Sequence, residues 1–225
     1  MGNRNTSKRK PFHPSRPISL AQKRWIFLGT LLGLIILGGA IIFWSRSGAK
    51  GLNTAELAKD PSIGPADAKV TIVEYGDFGC TTCKAWFQSG VLEKTIGQYG
   101  DQVRFVWRDF PIITAQSPKA AEAGQCAFNQ GKFWQYHDLL YQRAPALSVS
   151  DLKSYAAEIG LDSAEFDQCL DSGQEKAKVD QSLQEAYQHG FRATPAFLVN
   201  NKPLVGPPTF DQLKALIDPI LASGG

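Results

Sequence analysis

Hydrophobic positions along the chain change their rhythm four times, and each change marks an element. From Trp25 to Trp44 twenty residues pass without a charge, rich in Leu, Ile and Gly. Val70 to Tyr75 is continuously apolar and β-branched apart from Glu74, which predicts a central strand buried on both faces. Beyond it, Phe87, Val91, Leu92, Thr95, Ile96 and Tyr99 recur at helical spacing, and Gly100 ends that helix. Val103 to Trp107 alternates as a second strand, closed by Pro111.

From Ser117 to His189 the period becomes 3.6. Leu152, Tyr155, Ala156 and Ile159 form one stripe, Phe166, Cys169 and Leu170 a second, and Val179, Leu183, Ala186 and Tyr187 a third. Ser150 and the pair Asp162/Glu165 read as helix starts, Gly160 and Gly190 as stops. About five helices are expected in residues 116–190. Ala196 to Asn200 and Lys202 to Val205 then predict a hairpin around Asn200-Asn201. Thr209 with Gln212 caps a last helix, which Pro219 should end or bend. The order is strand, helix, strand, helical insert, two strands, helix, and the class is α/β.

Charge divides the chain. Residues 1–55 hold nine Lys/Arg and no acid, so 15 of the 24 basic residues remain against all 21 acidic ones in the rest. The folded part is acidic, which excludes a basic nucleic-acid-binding protein. The apolar run spans roughly 30 Å as a helix, the thickness of a bilayer core. Seven of the nine basic residues precede it, which puts residues 1–24 in the cytoplasm as a basic tail. Residues 25–44 are expected to be a transmembrane anchor, and everything from Ser45 lies outside. A cleaved signal peptide is the competing reading, but the apolar stretch is long and no A-x-A site follows. Residues 45–69, with Gly48, Gly51, Pro61, Gly64 and Pro65, read as a tether, with a short helical turn at Thr54 to Lys59. The domain proper is expected at 70–225.

Chemistry concentrates at Cys80-Thr81-Thr82-Cys83, where the first strand gives way to a helix. A sulfur at a helix N-terminus faces unpaired N–H groups that favour its thiolate, and the second sulfur lies one turn on. A zinc site would need four ligands. Cys126 and Cys169 are isolated, and His13, His137 and His189 show no paired spacing, so no metal or organic cofactor is implied. Outside the cytoplasm an even cysteine count favours a Cys126–Cys169 staple. Two buried free thiols and a second redox relay are the alternatives. Glu74 is either a buried acid or a strand-end acid reaching solvent. Asp77 reads as a turn residue and His137 as partly exposed, whereas Phe133, Trp134, Tyr136 and Tyr141 read as packing between insert and core.

Three stretches carry a family resemblance: Val70 to Phe78 with Cys80-Thr81-Thr82-Cys83, then Gly131-Lys132-Phe133-Trp134, then Arg192 to Asn200 containing Thr194-Pro195-Ala196-Phe197. Over about residues 61–222 the chain resembles the DsbA-like branch of the thioredoxin superfamily. That resemblance implies a thioredoxin-like fold with an inserted all-helical subdomain, behind the one transmembrane helix. It implies that Cys80 attacks and leaves, that Cys83 resolves, and that Glu74 is a buried acid serving Cys83. It also implies that Pro195, on composition alone a trans proline opening a strand, is cis and offers the Thr194 backbone to a bound peptide. Thr81-Thr82 departs from the Pro-His or Pro-Tyr of well-known members and brings no imidazolium beside Cys80. Expected partners are cysteine-containing exported polypeptides, a quinone-linked membrane oxidase of the DsbB or VKOR-like type, and the bilayer through residues 25–44. No dimerisation segment is evident, so a monomer is expected.

Overall fold

The computed structural model describes residues 57–223. The tail, the apolar span and most of the tether therefore lie outside the described residues, among which no helix is long and apolar enough to cross a membrane.

A five-stranded mixed sheet forms the base, in the order β1-β3-β2-β4-β5. β2 (Val70–Gly76) runs parallel to β3 (Val103–Asp109), in register from Val70 opposite Val103 to Gly76 opposite Asp109. β4 (Ala196–Val199) pairs antiparallel with β2, and β5 (Lys202–Val205) with β4. β2 and β3 are central and covered on both faces, which is why an apolar run, rather than an alternating one, encodes β2. β3 departs from the expected alternation: all seven of its residues are buried, Arg104 and Arg108 included. Arg108 is held by Asp60 at 2.8 Å and Glu185 at 2.6 Å, a buried pairing that lets a strand residue remain charged.

The segment expected as tether contributes to the fold. Leu57 is in the core, Asp60 binds Arg108, and β1 (Ser62–Ile63) adds an antiparallel edge to β3. A two-residue strand has no period for the sequence to display.

The helix expected to follow the cysteines is two helices, α1 (Thr81–Gln88) and α2 (Val91–Tyr99). They break at Gly90, whose φ of +70° is cheap only for glycine. The insert comprises α3 (Ser117–Asn129), α4 (Phe133–Arg143), α5 (Val149–Glu158), α6 (Ser163–Ser172) and α7 (Lys176–Gln188). Ser148, not Ser150, caps α5 in a capping box with Asp151, whereas Asp162 caps α6 as expected. Helix α8 (Phe210–Ala222) starts at the Thr209/Gln212 capping box and passes through Pro219 to Ala222. Proline near a helix end removes a single intrahelical donor, which the closing turn tolerates.

Cys126 of α3 and Cys169 of α6 are bonded, with Cα atoms 6.0 Å apart. The insert joins the sheet through one apolar cluster containing Phe78, Trp107, Phe133, Tyr136, Tyr141 and both cysteines of the Cys-x-x-Cys motif. Burying each large side chain there contributes about 1.5–3 kcal/mol, and the cluster fixes the end of β2 from which the motif hangs.

Candidate active site

Strand β2 ends at Gly76, where the Trp107 ring fills the space a Cβ would need. The turn that follows is held by Asp77. Its carboxylate accepts from Gly79 N at 2.7 Å and from Ile112 N and Ile113 N at 2.8 Å each. Asp77 is only 1% exposed, so it is a buried anchor for two loops rather than a simple turn residue. Its carbonyl accepts from Cys80 N at 3.0 Å, which sets where α1 begins.

Cys80 is the N-cap of α1, with φ −87° and ψ 117°, and its sulfur accepts from Cys83 N at 3.2 Å. Both cysteines are free thiols, Cys80 at the rim and Cys83 fully buried. Their acidities are driven apart. The Cys80 thiol is lowered to about 6, first by the hydrogen bond from the Cys83 side chain. Burial opposes this, and the N–H groups of Cys83 and Thr82 add to it. Thr82 thus contributes through its backbone N–H at the helix start, where donors lack intrahelical partners. Cys83 is pushed far up by burial first, then by donating to Cys80, then by the nearby Glu74 charge.

Glu74 is 3% exposed, opposite Trp107 on one side and Phe197 on the other. Of the two readings the sequence left open, it is the buried acid. Burial, then the charge of Cys80, raises its pKa well above the ordinary carboxylate range.

Facing the motif is the loop before β4. The Thr194–Pro195 peptide bond is cis, and the Thr194 carbonyl lies 3.5 Å from Cys80 Sγ. The Thr194 hydroxyl is buried without a hydrogen-bond partner of good geometry. Cys80, Cys83, Glu74, Thr194 and Pro195 therefore lie together, the grouping that the family resemblance implied. Cys126 and Cys169 belong to the staple of the insert.

The insert roofs the site. Tyr141 Oη donates to the Asp77 carbonyl at 3.5 Å, and its ring stacks on Phe87 at 5.4 Å. His137 corrects the expectation of partial exposure: it is 4% exposed, with Trp107 and Tyr141 edge-on at 4.9 Å. Burial lowers its pKa and keeps it neutral at pH 7. Lys84, beside Cys83, donates to the Ala144 carbonyl at 2.9 Å and ties α1 to the loop after α4. An i, i+4 aromatic spacing at His137 and Tyr141 signalled a buried face, but nothing signalled Lys84.

A family model described as thioredoxin matches residues 56–219. The chain belongs to the thioredoxin family. A thioredoxin-like oxidoreductase from Silicibacter pomeroyi DSS-3 is 27% identical at a TM-score of 0.66, over 74% of this chain and 94% of that one. Oxidised BdbD from Bacillus subtilis, 24% identical, shares the fold at a TM-score of 0.68 over 74% and 95% of the two chains. The Na(+)/H(+) antiporter NhaA of Herminiimonas arsenicoxydans is 38% identical over 181 residues, 79% of this chain. This chain spans 29% of that antiporter's length. The fold is that of these thioredoxin-like proteins, and in this chain it carries the free Cys80/Cys83 pair.

Proposed function

We propose that the chain is a membrane-anchored, extracytoplasmic oxidase that introduces disulfides into exported polypeptides through Cys80 and Cys83. The observation that carries this reading is the split between the two thiols. A substrate thiolate attacks the Cys80–Cys83 disulfide at Cys80, and Cys83 leaves. The buried Cys83 takes up a proton, for which Glu74 is the nearby acid. The second substrate thiolate then attacks its own mixed-disulfide sulfur, and Cys80 departs as a thiolate already stabilised at the helix start. Two electrons pass from the substrate thiols to the Cys80–Cys83 disulfide, which becomes the dithiol, and a quinone-linked membrane oxidase of the DsbB or VKOR-like type returns it to the disulfide. Thr194 and Pro195 hold the substrate chain beside Cys80. Residues 25–44 keep this chemistry at the outer face of the membrane.

The test is stoichiometric oxidation of a reduced two-cysteine peptide. Oxidised protein should form the peptide's disulfide and emerge with both motif thiols free, and Cys83→Ser should be captured through Cys80 by the peptide's disulfide form, because no Cys83 thiol then releases that mixed disulfide. Failure to oxidise the peptide, combined with rapid reduction of insulin by the dithiol form, would overturn the proposal.

A second reading has its own observation. The Cys80 pKa of about 6 lies between the roughly 7 of thioredoxin and the 3.5 of DsbA, because no cationic side chain stands at Thr81 or Thr82. An intermediate acidity favours an isomerase or reductase on the same scaffold. Reshuffling of a mispaired substrate, faster than oxidation of a reduced one, would select it.

A further inference from the structure

Away from the dithiol, a cavity of about 750 Å³ lies beside Trp107–Asp109 at the end of β3, between α3 and α7. That volume is in the range of small-molecule sites. Its wall holds two polar atoms without hydrogen-bond partners, Gln125 Oε1 and Ser182 Oγ, on residues 1% and 3% exposed. The Gln125 amide nitrogen is committed to Asp109 Oδ2, and Asp109 Oδ1 accepts from Trp107 Nε1 at 2.8 Å. Gln125 Oε1 is therefore a fixed acceptor lacking a donor, which a native interior rarely leaves unsatisfied. Burial also raises Asp109 to about 6 even though the Lys178 charge already acts on it, so a further cationic group beside it would relieve a remaining cost.

Another part of the same wall has the opposite need. Lys178 is partly buried, which lowers its pKa, and it meets Asp60 only at 3.9 Å because that carboxylate is engaged by Arg108 at 2.8 Å. Its ammonium sits 4.6 Å from the Phe128 ring centroid and donates to the Lys59 carbonyl at 3.0 Å. The cavity thus offers acceptors at one place and a poorly matched cation at another. A metal ion would meet Lys178, and a simple anion would meet Asp109 and Gln125 Oε1.

We propose that this cavity binds a short peptide with free termini, its ammonium on Gln125 Oε1 and Ser182 Oγ beside Asp109, and its carboxylate on Lys178. The test is calorimetric titration of the full-length chain with Ala-Ala, N-acetyl-Ala-Ala, Ala-Ala-amide and glucose. None of these can engage Cys80 covalently. Ala-Ala should bind, and each capped form should bind at least ~10-fold more weakly, the loss expected for one charged hydrogen bond. Lys178→Gln should weaken Ala-Ala by ~10-fold and leave Ala-Ala-amide unchanged, with disulfide exchange intact. No binding of Ala-Ala at millimolar concentration would overturn the proposal. So would equal binding of a capped form or of glucose, or an Ala-Ala affinity indifferent to Lys178. The capped peptides decide the matter on the unaltered chain even if a substitution disturbs folding.

Discussion

The backbone N–H of Cys83 lies 3.2 Å from Cys80 Sγ and donates to it, so the resolving residue stabilises the thiolate of the attacking one. Helix α1 can do this only because Cys80 has extended φ/ψ and stands as its N-cap.

The first consequence is an acidity that can be read directly. Thiolate absorbance or alkylation rate at Cys80 should titrate near pH 6, with Cys83 silent through the neutral range. Because the folded thiol is more acidic than the unfolded one, the unfolded chain binds the extra proton between pH 6 and the ordinary thiol range. The reduced protein should therefore gain stability over the oxidised one as pH rises through 6, and lose that margin as pH falls through it. Thermal melts of both forms from pH 5 to 8 check the sign. A margin that shrinks with rising pH would contradict it.

Glu74 carries the opposite sign. Its pKa is raised on folding, so its charge costs stability once pH exceeds the ordinary carboxylate value, and the cost grows up to the folded pKa. Glu74→Gln should stabilise the fold at pH 7 and change it little at pH 4. It should also slow the release of Cys83 from its disulfide, since the nearby acid that protonates Cys83 is removed. An unchanged rate of Cys83 release in the variant would mean that Glu74 does not serve that proton.

Much of this arrangement was legible in the chain. The β2 run, the Ala196–Val199/Lys202–Val205 hairpin and the caps at Asp162 and Thr209 sit where periodicity and side-chain chemistry put them. The cysteines, Glu74, Thr194 and Pro195 were placed together by the family resemblance, and they do converge. What stayed hidden depended on tertiary partners. Arg108 and Asp60 carry no mark of burial in the sequence, because each supplies the other's counter-ion only in the fold. His137 is buried because six aromatic side chains surround it, a fact distributed over β3, α1, α4 and the motif turn. The break at Gly90 was masked because the apolar face of α2 continues the phase of α1.

The insert's staple gives a prediction independent of catalysis. The Cys126–Cys169 bond spans a sequence separation of 43, and closing such a loop in the unfolded chain is worth about 4 kcal/mol. Replacing both with serine should lower denaturant stability by roughly 2–4 kcal/mol and leave the Cys80 pKa and the exchange rate nearly unchanged. Loss of exchange activity in a variant that still folds would show that this pair takes part in the relay.

The reduction potential of the Cys80–Cys83 couple, followed from pH 5 to 8, tests the central claim most directly. Above a Cys80 pKa of about 6 the reduced form holds one proton fewer, so the slope should fall from about 59 to about 30 mV per pH unit near pH 6. At pH 7 that acidity lifts the potential by at most about 30 mV over an unperturbed thiol. An oxidase should therefore show a value above about −200 mV with contributions beyond the thiolate. A potential near −270 mV with a straight slope through pH 6 would contradict both the tuned thiolate and its use as an oxidant.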